Sequence, residues 1–392
     1  MSYIGKTPTS VPLTSSDITD GIITTTKIAD ANVTNPKLTS GSQQNFRNII
    51  INGDMSLAQR STSVTGITGG GYNTLDRWNI DLSSLGTWTM SQSTDVPSGY
   101  GFATSLKLDC TTADASPAAS NRFLLEEKFE GQNLQYLKKG TSNAESLTAS
   151  FWVKSTKTGT FIAGLYDADN NRNVSKSYTV SDSNTWEFKT VTFPGDTSGA
   201  LGNDTGASLS LQFWLAAGTD FTSGTLATSW AANDNTERAA GQVNIADNTA
   251  NNFFITGVQL EAGTTASDFE FLPFDVNRER CYRYYRTIVP LNSVDTGYAM
   301  AFYTGTGNVR FLFTLDIPMR VTPSIDYITG TNYFKIYAAG STNTLNSWSL
   351  QNTATNRFIL ANNTGEASGT AGFTGYAQSN SNSAYLGLEA EL

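Results

Sequence analysis

Leu209-Ser210-Leu211-Gln212-Phe213-Trp214-Leu215 sets Leu209, Leu211, Phe213 and Leu215 at every second position. Successive side chains of a β-strand leave on opposite faces, so these four apolar groups line one face of a sheet. The same period recurs on either side. Leu106, Leu108 and Cys110 share a face, as do Leu147, Ala149, Phe151 and Val153, and the set Phe254, Thr256, Val258 and Leu260 closes the series. The spacers are rich in Gly, Asn, Asp and Ser, residues that reverse a chain readily. No long 3.6-residue pattern competes. The stretch most open to helix, Asn121–Tyr136, is expected to make a turn or two at most. Ile49-Ile50-Ile51 reads as a buried strand that ends in a tight turn at Asn52-Gly53-Asp54. Residues 46–276 are therefore expected to form an antiparallel β-sandwich.

Working outward, residues 287–392 repeat the β texture. Val309-Arg310-Phe311-Leu312-Phe313, Tyr333-Phe334-Lys335-Ile336-Tyr337 and Ala384-Tyr385-Leu386-Gly387-Leu388 read as strands of a second, sandwich-like domain. The run from Gly375 to Ser383 reads as a loop in which Tyr sits among Ser, Asn and Gly, a mixture suited to recognition. Trp348, Tyr376 and Tyr385 are the candidate ligand-binding residues of this domain. Between the two β regions, residues 277–286 concentrate four arginines and three tyrosines. Two readings stand for this run. It is a polyanion site, or it is a junction whose arginines pair with acids such as Asp268, Glu270 and Asp275. The junction is favoured because one strand series ends there and another begins.

The first 45 residues differ from both. Ile23-Thr24-Thr25-Thr26-Lys27-Ile28 is echoed ten residues later by Val33-Thr34-Asn35-Pro36-Lys37-Leu38. So short a segment cannot bury Ile23, Ile28, Val33 and Leu38 against itself. It is either a disordered tail or, as the repeat favours, an extended arm that docks on another protein.

Composition excludes several chemistries. The 392 residues contain no histidine and two cysteines, Cys110 and Cys281. A Ser-His-Asp or Cys-His centre cannot be built from one chain, nor a histidine or four-cysteine zinc site. The cysteines could pair once if the fold brings them together, and otherwise read as buried free thiols. Charged residues make up only 15%, the net charge is −9 and the pI about 4.7, which argues against nucleic acid or an anionic membrane as partner. No run approaches the roughly 18 apolar residues of a membrane span. Carboxylate pairs are the remaining catalytic apparatus. Glu126 and Glu127 are neighbours that point apart, and Glu389 and Glu391 share a face only in a terminus expected to fray. Asp167-Ala168-Asp169-Asn170-Asn171 begins like a calcium loop but has Arg172 and Tyr178 where Gly and Glu belong, so it reads as a hairpin turn. Gly69-Gly70-Gly71 reads as a loop. No catalytic residue, metal ligand or cofactor is expected.

Several short motifs carry a resemblance. Asn48-Ile49-Ile50-Ile51-Asn52-Gly53-Asp54-Met55, Gln59-Arg60 and Asp76-Arg77-Trp78 resemble the opening of a domain found in tail fibres of tailed bacteriophages, marine ones especially. Phe151-Trp152-Val153-Lys154 and Trp186-Glu187 are similar to its middle strands. Thr256-Gly257-Val258-Gln259-Leu260-Glu261-Ala262-Gly263, Ala266-Ser267-Asp268-Phe269-Glu270 and Cys281-Tyr282-Arg283-Tyr284-Tyr285 are similar to its end. Pro318-Met319-Arg320-Val321-Thr322-Pro323 resembles a strand opening the next domain, and the Thr-x-x-Lys repeats resemble a virion-proximal arm. The resemblance implies a jelly roll like that of carbohydrate-binding modules, in a homotrimeric receptor-binding protein made in the host cytoplasm and localised to the virion. It further implies that residues 1–45 meet a tail adaptor or nozzle protein and that the β-domains meet a host glycan or protein. A structural calcium is compatible with that kinship, although no motif supplies it. The alternatives are a connector, shaft or head fibre without receptor binding, and a polysaccharide-degrading enzyme.

Overall fold

The computed structural model describes residues 46–351 and 356–392. The arm expectations for Ile23, Ile28, Val33 and Leu38 lie outside the described residues. Eleven strands make the first sheet system: β1 (Ser63–Tyr72), β2 (Asn79–Ser93), β3 (Ser105–Thr112), β4 (Arg122–Glu130), β5 (Leu147–Ser155), β6 (Gly159–Asp167), β7 (Arg172–Val180), β8 (Glu187–Phe193), β9 (Ala207–Ala217), β10 (Ala231–Ala232) and β11 (Asn252–Ala262). A one-turn helix, α1 (Thr219–Thr222), follows β9. All pairings in this system are antiparallel, in the order β10-β7-β6-β9-β4-β2-β3-β11-β5-β8, with β1 on β2. The long strand β2 belongs to both halves. Its residues Asn79–Ser83 pair with β4 and Thr87–Ser93 with β3. Between them Ser84 and Gly86 take positive φ (51° and 73°), and there the sheet turns its corner. The two halves fold over each other as a jelly-roll sandwich. Phe151 of β5 meets Phe213 of β9 at 4.9 Å, and Phe161 of β6 meets Phe253 of β11 at 5.9 Å. Each such ring taken out of water contributes roughly 1.5–3 kcal/mol.

The period-two expectations hold for β3, β5 and β9, whose named apolar residues lie in one core. In β11 the expected face is split. Phe253 and Ile255 point inward, and after a bulge between Thr256 and Gln259 it is Val258 and Leu260 that do so. Gly257 takes φ +60° at the bulge, and the extra residue reverses the alternation. Four other expectations are corrected. Asn121–Tyr136 holds strand β4 followed by two 3-10 turns, because Phe123 and Leu125 enter the core while Leu124 and Glu126 face outward. Ile49–Ile51 is not a ladder strand. The N–H groups of Ile49, Ile50 and Ile51 donate to Leu260 O, Asn48 Oδ1 and Glu127 Oε1, at 2.9, 3.0 and 2.9 Å. Gly69–Gly71 lies inside β1, where a Cβ on Gly70 would sit 2.9 Å from Ile80 O. Pro318–Pro323 is a loop.

The helix α2 (Phe274–Tyr282) leads into the second region. Strand β12 (Tyr285–Val289) pairs with β21 (Leu386–Glu389), which also pairs with β15 (Ser324–Tyr327). The other strands are β13 (Gly297–Gly305), β14 (Asn308–Thr314), β16 (Phe334–Ala338), β17 (Ser341–Leu345), β18 (Ser349–Leu350), β19 (Phe358–Thr364) and β20 (Thr374–Ser379). They form an antiparallel sheet in the order β17-β16-β20-β13-β14-β19-β18 over a second core. The segment expected as a loop from Gly375 is thus mostly strand β20. Trp348 is central to this core, with ring centroids 4.4 Å from Phe311 and 5.3 Å from Phe334.

Residues 46–392 nevertheless form one compact unit with two cores. The joint is ionic and aromatic. Arg77, 1% exposed, pairs with Glu391, and its Cζ lies 3.6 Å above the Tyr284 ring. Arg60 reaches Glu389 and Glu391 at 3.3 and 3.4 Å and lies 3.5 Å over the Tyr285 ring. Arg283 clamps Glu130 with two bonds of 2.6 Å. Within the 277–286 run, Arg283 pairs with Glu130 and not with Asp268, Glu270 or Asp275. Glu389 and Glu391 share Arg60, and the terminus is held instead of frayed. Cys110 and Cys281 are buried and free.

Burial pushes the Glu127 carboxyl up to about 8 against the pull of Arg77. The folded state then holds this proton more tightly than the unfolded chain, where the ordinary value is 4.5. Its contribution to stability is fully present below that value and is lost as pH rises to about 8. Glu127→Gln keeps an acceptor for Ile51 and cannot ionise, so its melting temperature should rise relative to the parent between about pH 5 and about pH 8.5. Thermal scans check this, and a constant difference across that range contradicts it. Trp348→Ala should lose about 3–5 kcal/mol in denaturant unfolding, as core aromatic truncations do.

Candidate functional site

The outer face of the half-sheet β2-β4-β9-β6-β7 carries a row of polar residues across five strands. Asn79, Glu126, Gln212, Gly164 and Ser175 stand in register, each paired with the next. Such a row arises because strands with an apolar inner face have their outer positions free for other chemistry. Within LSLQFWL, Gln212 is the outward residue between the inward Leu211 and Phe213. Asn79 Nδ2 donates to Glu126 Oε1 at 3.0 Å, and Gln212 Nε2 donates to Glu126 Oε2 at 2.9 Å. Arg238 Nη2 donates to Gln212 Oε1 at 2.8 Å, and its Nη1 donates to Asn235 Oδ1 at 3.2 Å. Four planar groups are thereby locked edge to edge along the face.

Glu126 and Gln212 of this row line a cleft of about 410 Å³. On one side Arg122 pairs with Asp81 at 2.8 Å, and Lys128 stands 3.4 Å from Glu126. On the other, Tyr166 and Arg238 form a wall, with the guanidinium carbon 4.9 Å from the Tyr166 ring and 5.2 Å from the Trp214 ring. Phe221, which packs in a small apolar cluster with Leu124, Ile162 and Trp214, also lines the cleft. Gly164 lies between Gln212 and Ser175 in the row, where a Cβ would come 3.2 Å from Ser175 Oγ. Burial lowers the Arg238 pKa, with Tyr166 and Glu126 opposing the shift. Buried side chains on this face with polar atoms without partners include Trp214 at Nε1, Ser208 at Oγ, and Asn173 at both Nδ2 and Oδ1. The arrangement presents fixed donors from Arg238 and Lys128, fixed acceptors from Glu126 and Asp81, and an aromatic ring at the side. That set matches the paired donor and acceptor character of vicinal hydroxyls.

The residues singled out from sequence do not gather here. Trp348 and Tyr385 are only 7% and 6% exposed. Trp348 serves the second core, and the Tyr385 hydroxyl bonds that of Tyr285, so neither offers a ring face to a ligand. Tyr376 is at the surface, 42% exposed and 5.6 Å from the Tyr337 ring. Sequence reading missed the cleft because its members run from Asp81 to Arg238 and belong to no motif. The available signal was the polar residue set between apolar ones, Glu126 and Gln212 above all. The Asp167–Asn171 stretch is a hairpin turn between β6 and β7, as expected. Among the described residues no three His, Cys, Asp or Glu side chains converge as metal ligands, and no helix is long and apolar enough to cross a membrane.

No family model matches the chain. No curated protein matches it either. Among solved structures it is similar to the enzymatically active domain of tailspike protein 4 from bacteriophage CBA120, at 14% identity and a TM-score of 0.29. That match covers 55% of this chain and 21% of the tailspike chain. It is also similar to the carbohydrate-binding module TmCBM61 solved with β-1,4-galactotriose, at 10% identity and a TM-score of 0.29, covering 55% of this chain and 99% of that one. A third is the C-terminal family 22 carbohydrate-binding module of a Clostridium thermocellum xylanase, at 12% identity and a TM-score of 0.26, covering 52% and 96%. Their ligands and activities are properties of those proteins.

Proposed function

We propose that this chain is a virion attachment protein of a tailed bacteriophage, a tail fibre whose jelly roll binds a glycan of the host surface. The observation that carries the glycan reading is the locked row of Glu126, Gln212 and Arg238 beside Tyr166 in an open cleft. A sugar brings many hydroxyls and few charges, and it is recognised by planar polar side chains whose geometry is set before binding. Binding is favoured over cleavage because the cleft carboxylates are already engaged. Asp81 is paired with Arg122, and Glu126 accepts from Asn79 and Gln212. The phage reading draws on the sequence motifs, with residues 1–45 as the arm that meets the tail adaptor. Three copies of a weak site on one fibre raise the overall affinity by effective concentration.

The test uses the full-length protein on a glycan array and on host cells. Arg238→Ala should weaken binding roughly tenfold or more, the effect of removing a charged hydrogen bond. Tyr166→Ala serves as the second variant, with thermal scans showing both folded. Equal binding by parent and both variants would overturn the glycan reading. Gold label against the C-terminal strand β21 should fall at the tip of fibres on intact particles; label beside the tail or capsid overturns the attachment role.

A further inference from the structure

The opposite half-sheet carries a second cleft, of about 440 Å³, on the outer face of β11-β5-β8. Its walls are rings. Tyr100 lies 4.2 Å from Trp152 at an interplanar angle of 47°, and Trp152 lies 5.4 Å from Phe188 at 50°. On the other side Phe102 lies 5.1 Å from Phe271 at 40°. Tyr100, Phe188 and Phe271 are 56%, 49% and 51% exposed, an unusual amount of aromatic surface to leave in water. The chain is built to hold these rings. Gly257, at the β11 bulge, lets Phe102 lie against the strand, where a Cβ would come within 2.5 Å of its ring.

One charge accompanies the rings. Asp268 lines the cleft, and its carboxylate has no hydrogen-bond or ion-pair partner among the described residues. None of the lining residues is basic. Arg47, next to Ser267, does not line the cleft. It donates to Ser267 Oγ at 2.7 Å and to the Asp268 carbonyl, and it stands 3.6 Å from the buried carboxylate of Glu261.

The same face shows what such a combination holds. Two residues along β5 from Trp152, the ammonium of Lys154 sits 4.6 Å over the Phe254 ring and 5.7 Å from the Trp186 ring, and pairs with Asp95. Rings and one carboxylate enclose a cation there. The neighbouring cleft has rings and one carboxylate, and none of its described lining residues is a cation. Rings tilted by 47° and 50° share no plane on which a sugar could stack, but they can surround a compact positive group. A primary ammonium brings three N–H donors that need acceptors, whereas a quaternary ammonium brings only methyl groups.

From this geometry we infer that the Tyr100–Trp152–Phe188–Phe271 cleft binds a quaternary ammonium of the choline type, with Asp268 as its counter-charge. The trimethylammonium head enters among the rings, and the polar remainder stays in water at the open mouth. This site is separate from the polar cleft and does not depend on the glycan reading.

The experiment titrates full-length protein with choline chloride, followed by calorimetry and tryptophan fluorescence, at ionic strength matched with sodium chloride. The neutral isostere 3,3-dimethylbutan-1-ol is titrated alongside. Choline should bind saturably and at least roughly fivefold more tightly than the isostere, the worth of a cation over partly desolvated rings. Trp152→Ala should abolish binding. Asp268→Asn, a surface change that leaves the rings in place, should weaken choline binding severalfold and leave the isostere unaffected. Arg238→Ala should bind choline as the parent does, so failure of this site and failure of the polar cleft are read separately. No saturable choline binding overturns the inference. So does equal affinity for choline and the isostere, or an Asp268→Asn variant that binds choline like the parent.

Discussion

The buried guanidinium of Arg77 is the constraint on which the rest of the molecule depends. It is 1% exposed, and a lone charge so placed would cost several kcal/mol. Burial alone lowers its pKa, but Glu391 together with Tyr284, Tyr72 and Glu127 more than offsets that, and the net shift is upward. Its Nη2 donates to Lys128 O in β4, and its Cζ rests on the Tyr284 ring just beyond α2. One side chain near the start of the sandwich thus binds β4, the segment after α2 and the C-terminal residues beyond β21 together. Around it Arg320 donates to the carbonyls of Ala390 and Glu391 at 2.8 and 2.6 Å, and Arg60 reaches the same segment. The two cores are held as one unit by charge and by rings, not by continuous apolar packing.

With the inner faces committed to the core, the two outer faces of the sandwich are free to differ. The β4-β9-β6 face carries locked carboxylate, amide and guanidinium groups. The β11-β5-β8 face carries rings and single acids. Both depend on the same backbone arrangement, in which a glycine at the centre of the face (Gly164 on one, Gly257 on the other) leaves room for a neighbouring side chain.

Much of the fold was legible because burial imposes a period. Leu209, Leu211, Phe213 and Leu215 declare a strand without reference to any partner. Where the local pattern misled, a long-range contact had replaced it. The Ile49–Ile51 N–H groups find acceptors on Leu260, Asn48 and Glu127 instead of a ladder. A single bulge at Gly257 reversed half of β11. Trp348 and Tyr385, read as surface aromatics in polar surroundings, proved to be core residues, since composition around a residue does not report which way it points.

The sequence by itself determined the all-β class, the antiparallel strands and the absence of histidine chemistry. These follow from alternation and composition, which are local properties of a chain. Tertiary structure alone decided which acid meets which arginine, and where the polar and aromatic clefts lie. Glu126, Gln212 and Arg238 are 112 residues apart at the extremes, and Tyr100 and Phe271 are 171 apart. Their proximity is created by strand order, and strand order is settled by the packing of the whole core, which no short stretch of sequence contains.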